Sequence, residues 1–185
     1  MNDCFVPLNL KIFPLAHDVS EYLKEWPNDS QNKIYDISFL NPELILFFQN
    51  LKINLRETFI FWSWDTKKHR YPHTDGNWFP DEKIVAKRQC GINWNFTPNS
   101  WVEFYKFPDS LPEIKRFNDW DFASFWKDAT EIIAVWGGSE NPIIFNPQIP
   151  HMVRSHESVH RRTSITLRFH ESYETLNEKL QDYKK

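Results

Sequence analysis

Apolar positions along this chain keep a helical period in its first third and alternate one-in-two for most of the rest. Asp18-Val19-Ser20-Glu21 has the form of a capping box and predicts a short helix stopped by Pro27. Asn41-Pro42-Glu43 is a stronger start signal, with a capping side chain, proline at the first helical position and an acid near the positive helix end. Leu44, Leu46, Phe47, Phe48 and Leu51 follow, predicting one apolar helix face turned toward a sheet.

From Glu57 the period becomes two, and strands are predicted over 58–64, 70–75, 88–96 and 100–107. Thr97-Pro98-Asn99-Ser100 is a turn cluster, so the last two of these read as a hairpin. Residues 108–128 are richer in Pro, Asp and Trp and read as a loop with a short helix, suited to a lid. Strands resume at 131–136, at 142–146 after a Gly137-Gly138-Ser139 turn, and at 161–169. Ser172 then caps a C-terminal helix with Tyr173, Leu176 and Leu180 on one side.

The strand at 161–169 has two unlike faces. Thr163, Ile165, Leu167 and Phe169 suit packing against helices, whereas Arg162, Ser164, Thr166 and Arg168 form a polar, basic face. An inward polar face needs something polar to hold, and Arg162 with Ser164 makes a clamp for a carboxylate. Arg161 and Arg168 fit a solvated charged face.

Composition sharpens this picture. The chain has 16 Phe and 9 Trp against 4 Gly, a bias that favours pleated, half-buried surfaces. Helices first and short strands afterwards predict a single α+β, mainly β domain over 1–185 with a β-sandwich core. A chain of this length buries roughly 70% of its extended surface. The net charge of -3 provides no basic footprint, so no nucleic-acid partner is expected. No apolar run is long enough for a bilayer, and the N-terminus shows no signal-peptide pattern, so no membrane association is expected. Two cysteines far apart make no disulfide framework, which sets a reducing cytoplasm as the expected location. Monomer and homodimer are equally compatible with the sequence.

The candidate chemistry lies in Tyr71-Pro72-His73-Thr74-Asp75-Gly76 and Pro150-His151. Two positions apart on a strand, His73 and Asp75 project from one face. With His151 from a later strand beside them, two imidazoles and a carboxylate make a facial ligand set that leaves the far side of a metal ion open. A lone His-x-Asp is a weak signal; its combination with a following histidine and an arginine inside the next strand is specific. Asn93 shares a strand face with Asn95 and is a candidate partner of the metal ligands or of a bound co-substrate, or else a buried amide bonded to backbone. Tyr71, on the face of His73 and Asp75, and Tyr105, on a neighbouring strand, are candidate donors to a carboxylate. His156 and His160 read as part of a polar turn, and His69 as part of a basic loop at the site mouth. Trp78 and Phe79 are candidates for lining the substrate entrance.

In these residues the chain resembles the iron(II)/2-oxoglutarate-dependent oxygenases: His73-Thr74-Asp75, His151 and Arg162-Thr163-Ser164, within an aromatic strand before the first motif, Gly91-Ile92-Asn93-Trp94-Asn95 after it, and Phe145-Asn146-Pro147 before Pro150-His151. The resemblance covers most of 55–170. It implies a double-stranded β-helix (jelly roll) with flanking helices, and Fe(II) bound by His73, Asp75 and His151. It further implies 2-oxoglutarate chelating the metal, with its far carboxylate on Arg162 assisted by Ser164, and O2 as oxidant. The implied outcome is oxidative decarboxylation to succinate and carbon dioxide, coupled most commonly to hydroxylation of a small metabolite, an amino acid or a peptidyl side chain. Related halogenases carry a small residue in place of the acidic ligand, so Asp75 disfavours halogenation. Two other readings use the same residues: a cupin-type metalloenzyme without 2-oxoglutarate, for which the Arg162–Ser164 clamp has no use, and a non-catalytic jelly-roll binding module.

Overall fold

The computed structural model describes residues 4–24, 32–65, 71–75, 78–79, 84–85, 90–116, 122–137, 141–157, 159 and 161–185. Pro27, His69, Gly76, Gly138, Ser139 and His160, and the side chains of Trp78 and Phe79, lie outside what it describes. The described chain is mainly β. Its strands are β1 (Phe5–Pro7), β2 (Asn32–Asp36), β3 (Leu55–Asp65), β4 (His73–Asp75), β5 (Trp78–Phe79), β6 (Ile84–Val85), β7 (Gly91–Asn95), β8 (Ser100–Tyr105), β9 (Glu113–Arg116), β10 (Phe122–Phe125), β11 (Ile132–Gly137), β12 (Ile143–Phe145), β13 (His151–Ser155) and β14 (Arg161–Phe169). Three α-helices accompany them: α1 (Val19–Leu23), α2 (Pro42–Asn50) and α3 (Tyr173–Lys179).

Twelve of these strands make two six-stranded sheets, in the orders β1-β12-β7-β14-β3-β2 and β11-β8-β13-β4-β10-β9, while β5 and β6 pair with each other in a separate two-stranded sheet. Every pairing is antiparallel. The backbone of the first sheet is the long ladder between β14 and β3, from Arg161 opposite Asp65 to Phe169 opposite Leu55. Both strands are dense in β-branched and aromatic residues, which fit a pleated surface packed on both sides.

Side-chain alternation divides the core into layers. Phe59, Phe61, Ile92, Trp94, Ile144, Ile165, Leu167 and Phe169 face one way and join Leu44 and Phe48 of α2 and Leu176 of α3 in the largest apolar cluster. The opposite face of the first sheet supplies Ile143 and Phe145, with Trp62, to a second cluster completed by Val102, Phe104 and Val153 of the second sheet. The rings of Phe104 and Phe145 meet across the two sheets with centroids 5.6 Å apart. The sheets therefore pack face to face, and among the described residues the helices cover the first.

Asn41 caps α2 as its sequence suggests, its side chain accepting from the Glu43 N–H at 3.0 Å, with Pro42 at the first helical position. Within α2 the apolar face is narrower than the pattern implies. Leu44 and Phe48 are fully buried, but Leu46 is 57% exposed, because two residues turn a helix by about 200°. Ser172 caps α3 by accepting from the Thr175 N–H at 3.2 Å. Asp18 precedes α1 without a side-chain cap bond.

Two expectations about the strands need correction. The turn at 97–100 does not join a hairpin, because β7 pairs with β12 and β14 while β8 pairs with β11 and β13. The chain instead crosses between sheets there. Asn99 takes a left-handed φ of 57°, and Asn95 holds the corner, its Nδ2 donating to Ser100 Oγ at 2.9 Å and its Oδ1 accepting from the Thr97 N–H at 3.2 Å. The segment 108–128 contains no described helix. It contains the β9–β10 hairpin, which extends the second sheet beyond β4. Among the described residues no helix is long and apolar enough to cross a membrane.

Candidate metal centre

Two strands of the second sheet bring the ligand-type side chains together. In the antiparallel pair of β4 and β13, His73 lies directly opposite His151. Directly opposed residues project to the same side, and Asp75, two positions from His73, projects there too. Thr74 points the other way and is buried, its Oγ1 accepting from Trp126 Nε1 at 3.4 Å. One ligand atom each from His73, Asp75 and His151 lies within 4.8 Å of the others. The two imidazole centroids are 4.5 Å apart.

His151 is the most constrained of the three. It is 5% exposed. Its Nδ1 lies 2.9 Å from the Ile149 carbonyl, and a carbonyl only accepts, so Nδ1 carries the proton and the lone pair that could bind a metal is on Nε2. The turn before it is fixed by Asn146, whose Oδ1 accepts from the Gln148 N–H at 3.1 Å. The same turn reaches β4, since the Asp75 N–H donates to the Pro147 carbonyl at 2.9 Å. Apolar rings surround the imidazole: Phe145 meets it edge-on at 4.7 Å and Phe104 lies at 6.2 Å. Contact with Phe145, from the first sheet, puts the cluster on the face between the sheets.

The donor set fits one divalent transition metal. Each bond would be about 2.1 Å, so donors on a shared ion stand no more than about 4.2 Å apart. Small side-chain rotations suffice to close the observed spacing. Nitrogen and carboxylate oxygen in a facial arrangement suit non-haem iron with open positions opposite.

Across the intersheet space stands Arg162 on β14. It is 5% exposed, its Nη1 donates to Ser164 Oγ at 3.3 Å, and its Nε has no hydrogen-bond partner. No carboxylate among the described residues pairs with it. Burial alone pulls its pKa down to about 10, so it is still a cation at neutral pH. A buried lone guanidinium carries a desolvation penalty of several kcal/mol that only an anion offsets. Its face of β14 is the intersheet one, because Thr166, four positions on, accepts from Trp62 Nε1 at 2.9 Å and Trp62 packs into the intersheet cluster. Ser164 is buried on that face. Asn93 lies opposite Thr166 and Ile143 on the same face, with its Oδ1 buried and without a hydrogen-bond partner.

The structure therefore brings His73, Asp75 and His151 together on the second sheet and sets Arg162, Ser164 and Asn93 on the intersheet face of the first. It does not bring Tyr105 to the intersheet side, which corrects its reading as a donor to a bound carboxylate. Phe104 occupies the inward position opposite His151, so Tyr105 is turned to the outer face, packed with Trp126, Ala129 and Met152. Its hydroxyl donates to Glu103 Oε2 at 2.5 Å; burial and that neighbour push its pKa up to about 12. Tyr71 precedes β4 instead of lying in it, is 40% exposed, and has Lys127 Nζ 5.7 Å from its ring centre. Arg168 donates to Thr58 Oγ1 at 3.1 Å, and His156 is exposed with its N–H on the Asn99 carbonyl.

Sequence reasoning missed one neighbour of the cluster. Phe125 of β10 lies opposite His73, its ring roughly parallel to the imidazole at 5.6 Å. The alternation in Phe122-Ala123-Ser124-Phe125 was the available signal. Compared with known proteins, the chain matches no protein-family model and no curated protein.

Proposed function

We propose that this protein is an iron(II)- and 2-oxoglutarate-dependent oxygenase built on a double-stranded β-helix. The observation that carries the reading is Arg162, a buried cation without a carboxylate partner among the described residues, on the first-sheet face that looks across the intersheet space toward the sheet bearing a two-histidine, one-carboxylate cluster. A metal site needs no such cation; a dicarboxylate co-substrate that reaches from metal to guanidinium does. The fold supports it as well. From β3 to β14, strands β3, β7, β12 and β14 fall in the first sheet, and β4, β8, β11 and β13 in the second, an eight-strand arrangement of the jelly-roll kind.

In this reading His73, Asp75 and His151 hold the iron. His151 does so through Nε2, since its Nδ1 proton is given to Ile149. Arg162 and Ser164 hold the far carboxylate of 2-oxoglutarate, and Asn93 Oδ1 is available to a donor group within the same space. The apolar rings of Phe104 and Phe145 exclude water from the inner side of the cluster. When bound, the iron supplies the redox chemistry that couples conversion of 2-oxoglutarate and dioxygen to succinate and carbon dioxide with oxidation of a substrate C–H bond. The substrate class is a small metabolite, an amino acid or a peptidyl side chain, with hydroxylation as the expected outcome.

Anaerobic addition of Fe(II) and 2-oxoglutarate is expected to give a visible charge-transfer band. His73→Ala abolishes it, and Arg162→Ala weakens co-substrate binding while sparing the metal. Fe(II)-dependent absorbance that is the same with and without 2-oxoglutarate would overturn this reading in favour of a cupin-type site. Stimulated succinate release across a panel of candidate substrates then identifies the substrate.

A further inference from the structure

Strand β4 carries two of the three ligands and is only three residues long. Its hydrogen-bonded neighbours differ greatly in extent. With β13 it shares a single register pair, His73 opposite His151. With β10 it pairs along its whole length: Asp75 opposite Ala123, Thr74 opposite Ser124 and His73 opposite Phe125. The ladder continues past the strand end, where the Trp126 N–H donates to the Pro72 carbonyl at 2.8 Å. On the outer face the Trp126 indole donates to Thr74 Oγ1 and is itself almost fully buried. On the inner face the Phe125 ring lies along the His73 imidazole, 5.6 Å away and inclined by 29°.

So short a strand does not hold its own conformation; its partners do. We infer that the β9–β10 hairpin is the clamp that builds the metal centre, with Phe125 the positioning residue for His73. This rests on the metal reading above and deepens it, since it assigns to β9 and β10 the opposite of a lid's role. A lid is loosely held and leaves the site on opening. The hairpin is laced to the ligand strand by backbone bonds and a buried indole. Phe125 acts through packing: its ring limits rotation of the imidazole, and so keeps the His73 donor aimed at the position His151 also faces. β9 braces β10 from behind through four register pairs and the ion pair of Glu113 with Lys127, 2.7 Å long.

Cobalt(II) titration of the full-length protein tests this without any turnover, by affinity and by the visible d–d spectrum. Phe125→Leu keeps an apolar side chain but loses the flat ring. It is expected to fold, with far-UV circular dichroism and a melting temperature close to wild type in the absence of metal. Its cobalt affinity should fall at least about tenfold, the usual scale for a group that orients a ligand, with an altered d–d band. Phe125→Tyr, which keeps the ring, should restore both. If Phe125→Leu binds cobalt with wild-type affinity and band shape, the clamp is overturned while the metal centre stands. If wild-type cobalt binding is absent or unaffected by His73→Ala, the metal reading falls, and the clamp with it. Should Phe125→Leu not fold, Trp126→Phe removes only the indole bond to Thr74. Weakened cobalt binding there supports the clamp, and unchanged binding overturns it.

Discussion

Arg162 and Ser164 stand two positions apart on one face of β14, joined by a hydrogen bond of 3.3 Å from Nη1 to Oγ. That contact is too weak to compensate a buried cation, and the guanidinium Nε is left without a bond. In the proposed function the pair receives the far carboxylate of 2-oxoglutarate, held at the expense of the stability of the empty protein.

Arg162→Met should therefore separate stability from binding. Replacing a lone buried charge with an apolar side chain of similar length leaves thermal stability of the metal-free protein unchanged or raises it. With Mn(II) present under argon, 2-oxoglutarate at 100 times its Kd should stabilise the wild type by about 2.7 kcal/mol, seen as a shift of several degrees in differential scanning fluorimetry. The variant should show no such shift. A clear loss of stability in metal-free Arg162→Met would mean that the cation has an internal partner after all.

The outer face of the second sheet predicts a pH dependence. Burial would raise the Glu103 pKa, but hydrogen bonds from Trp101, Tyr105 and Arg154, with the charge of Arg154, outweigh it and hold it below the ordinary 4.5. The unfolded chain thus takes up the proton first as acid is added. The stabilisation is complete above the ordinary value and is lost as pH falls through the lowered one. Urea unfolding midpoints measured from about pH 6 down to about pH 3 should fall more steeply for wild type than for Glu103→Gln. Parallel curves would show that Glu103 contributes nothing to acid stability.

Gly91 sets how closely β7 approaches β14. A Cβ there would stand 2.8 Å from Thr166 Cγ2 and 2.9 Å from the Leu167 carbonyl oxygen, and the latter is backbone that cannot step aside. Gly91→Ala is expected to cost about 1–3 kcal/mol, the range for overpacking a tight interior. The urea midpoint should drop with the m-value unchanged. Because Asn93 and Thr166 share this strand pair, 2-oxoglutarate affinity should weaken as well; an unaltered midpoint would show that the two strands have slack.

By itself the sequence determined what local chemistry governs. Asn41-Pro42 and Ser172 cap helices because their side chains reach nearby N–H groups whatever the rest of the chain does. Alternation along 161–169 separated the helix-facing Ile165, Leu167 and Phe169 from Arg162 and Ser164, because a strand has only two faces. His73 and Asp75 were legible as a pair for the same reason. Strand pairing was decided elsewhere. Whether β7 joins β8 or crosses away from it depends on hydrogen bonds to strands far along the chain, and the turn sequence at 97–100 suits both outcomes. Tyr105 turned outward once the β13–β8 register gave Phe104 the place opposite His151, a choice of one residue that reverses every side chain on a strand. The pairing of β9 with β10 was hidden by its Pro- and Asp-rich surroundings, since both strands are short and take their stability from β4 beside them.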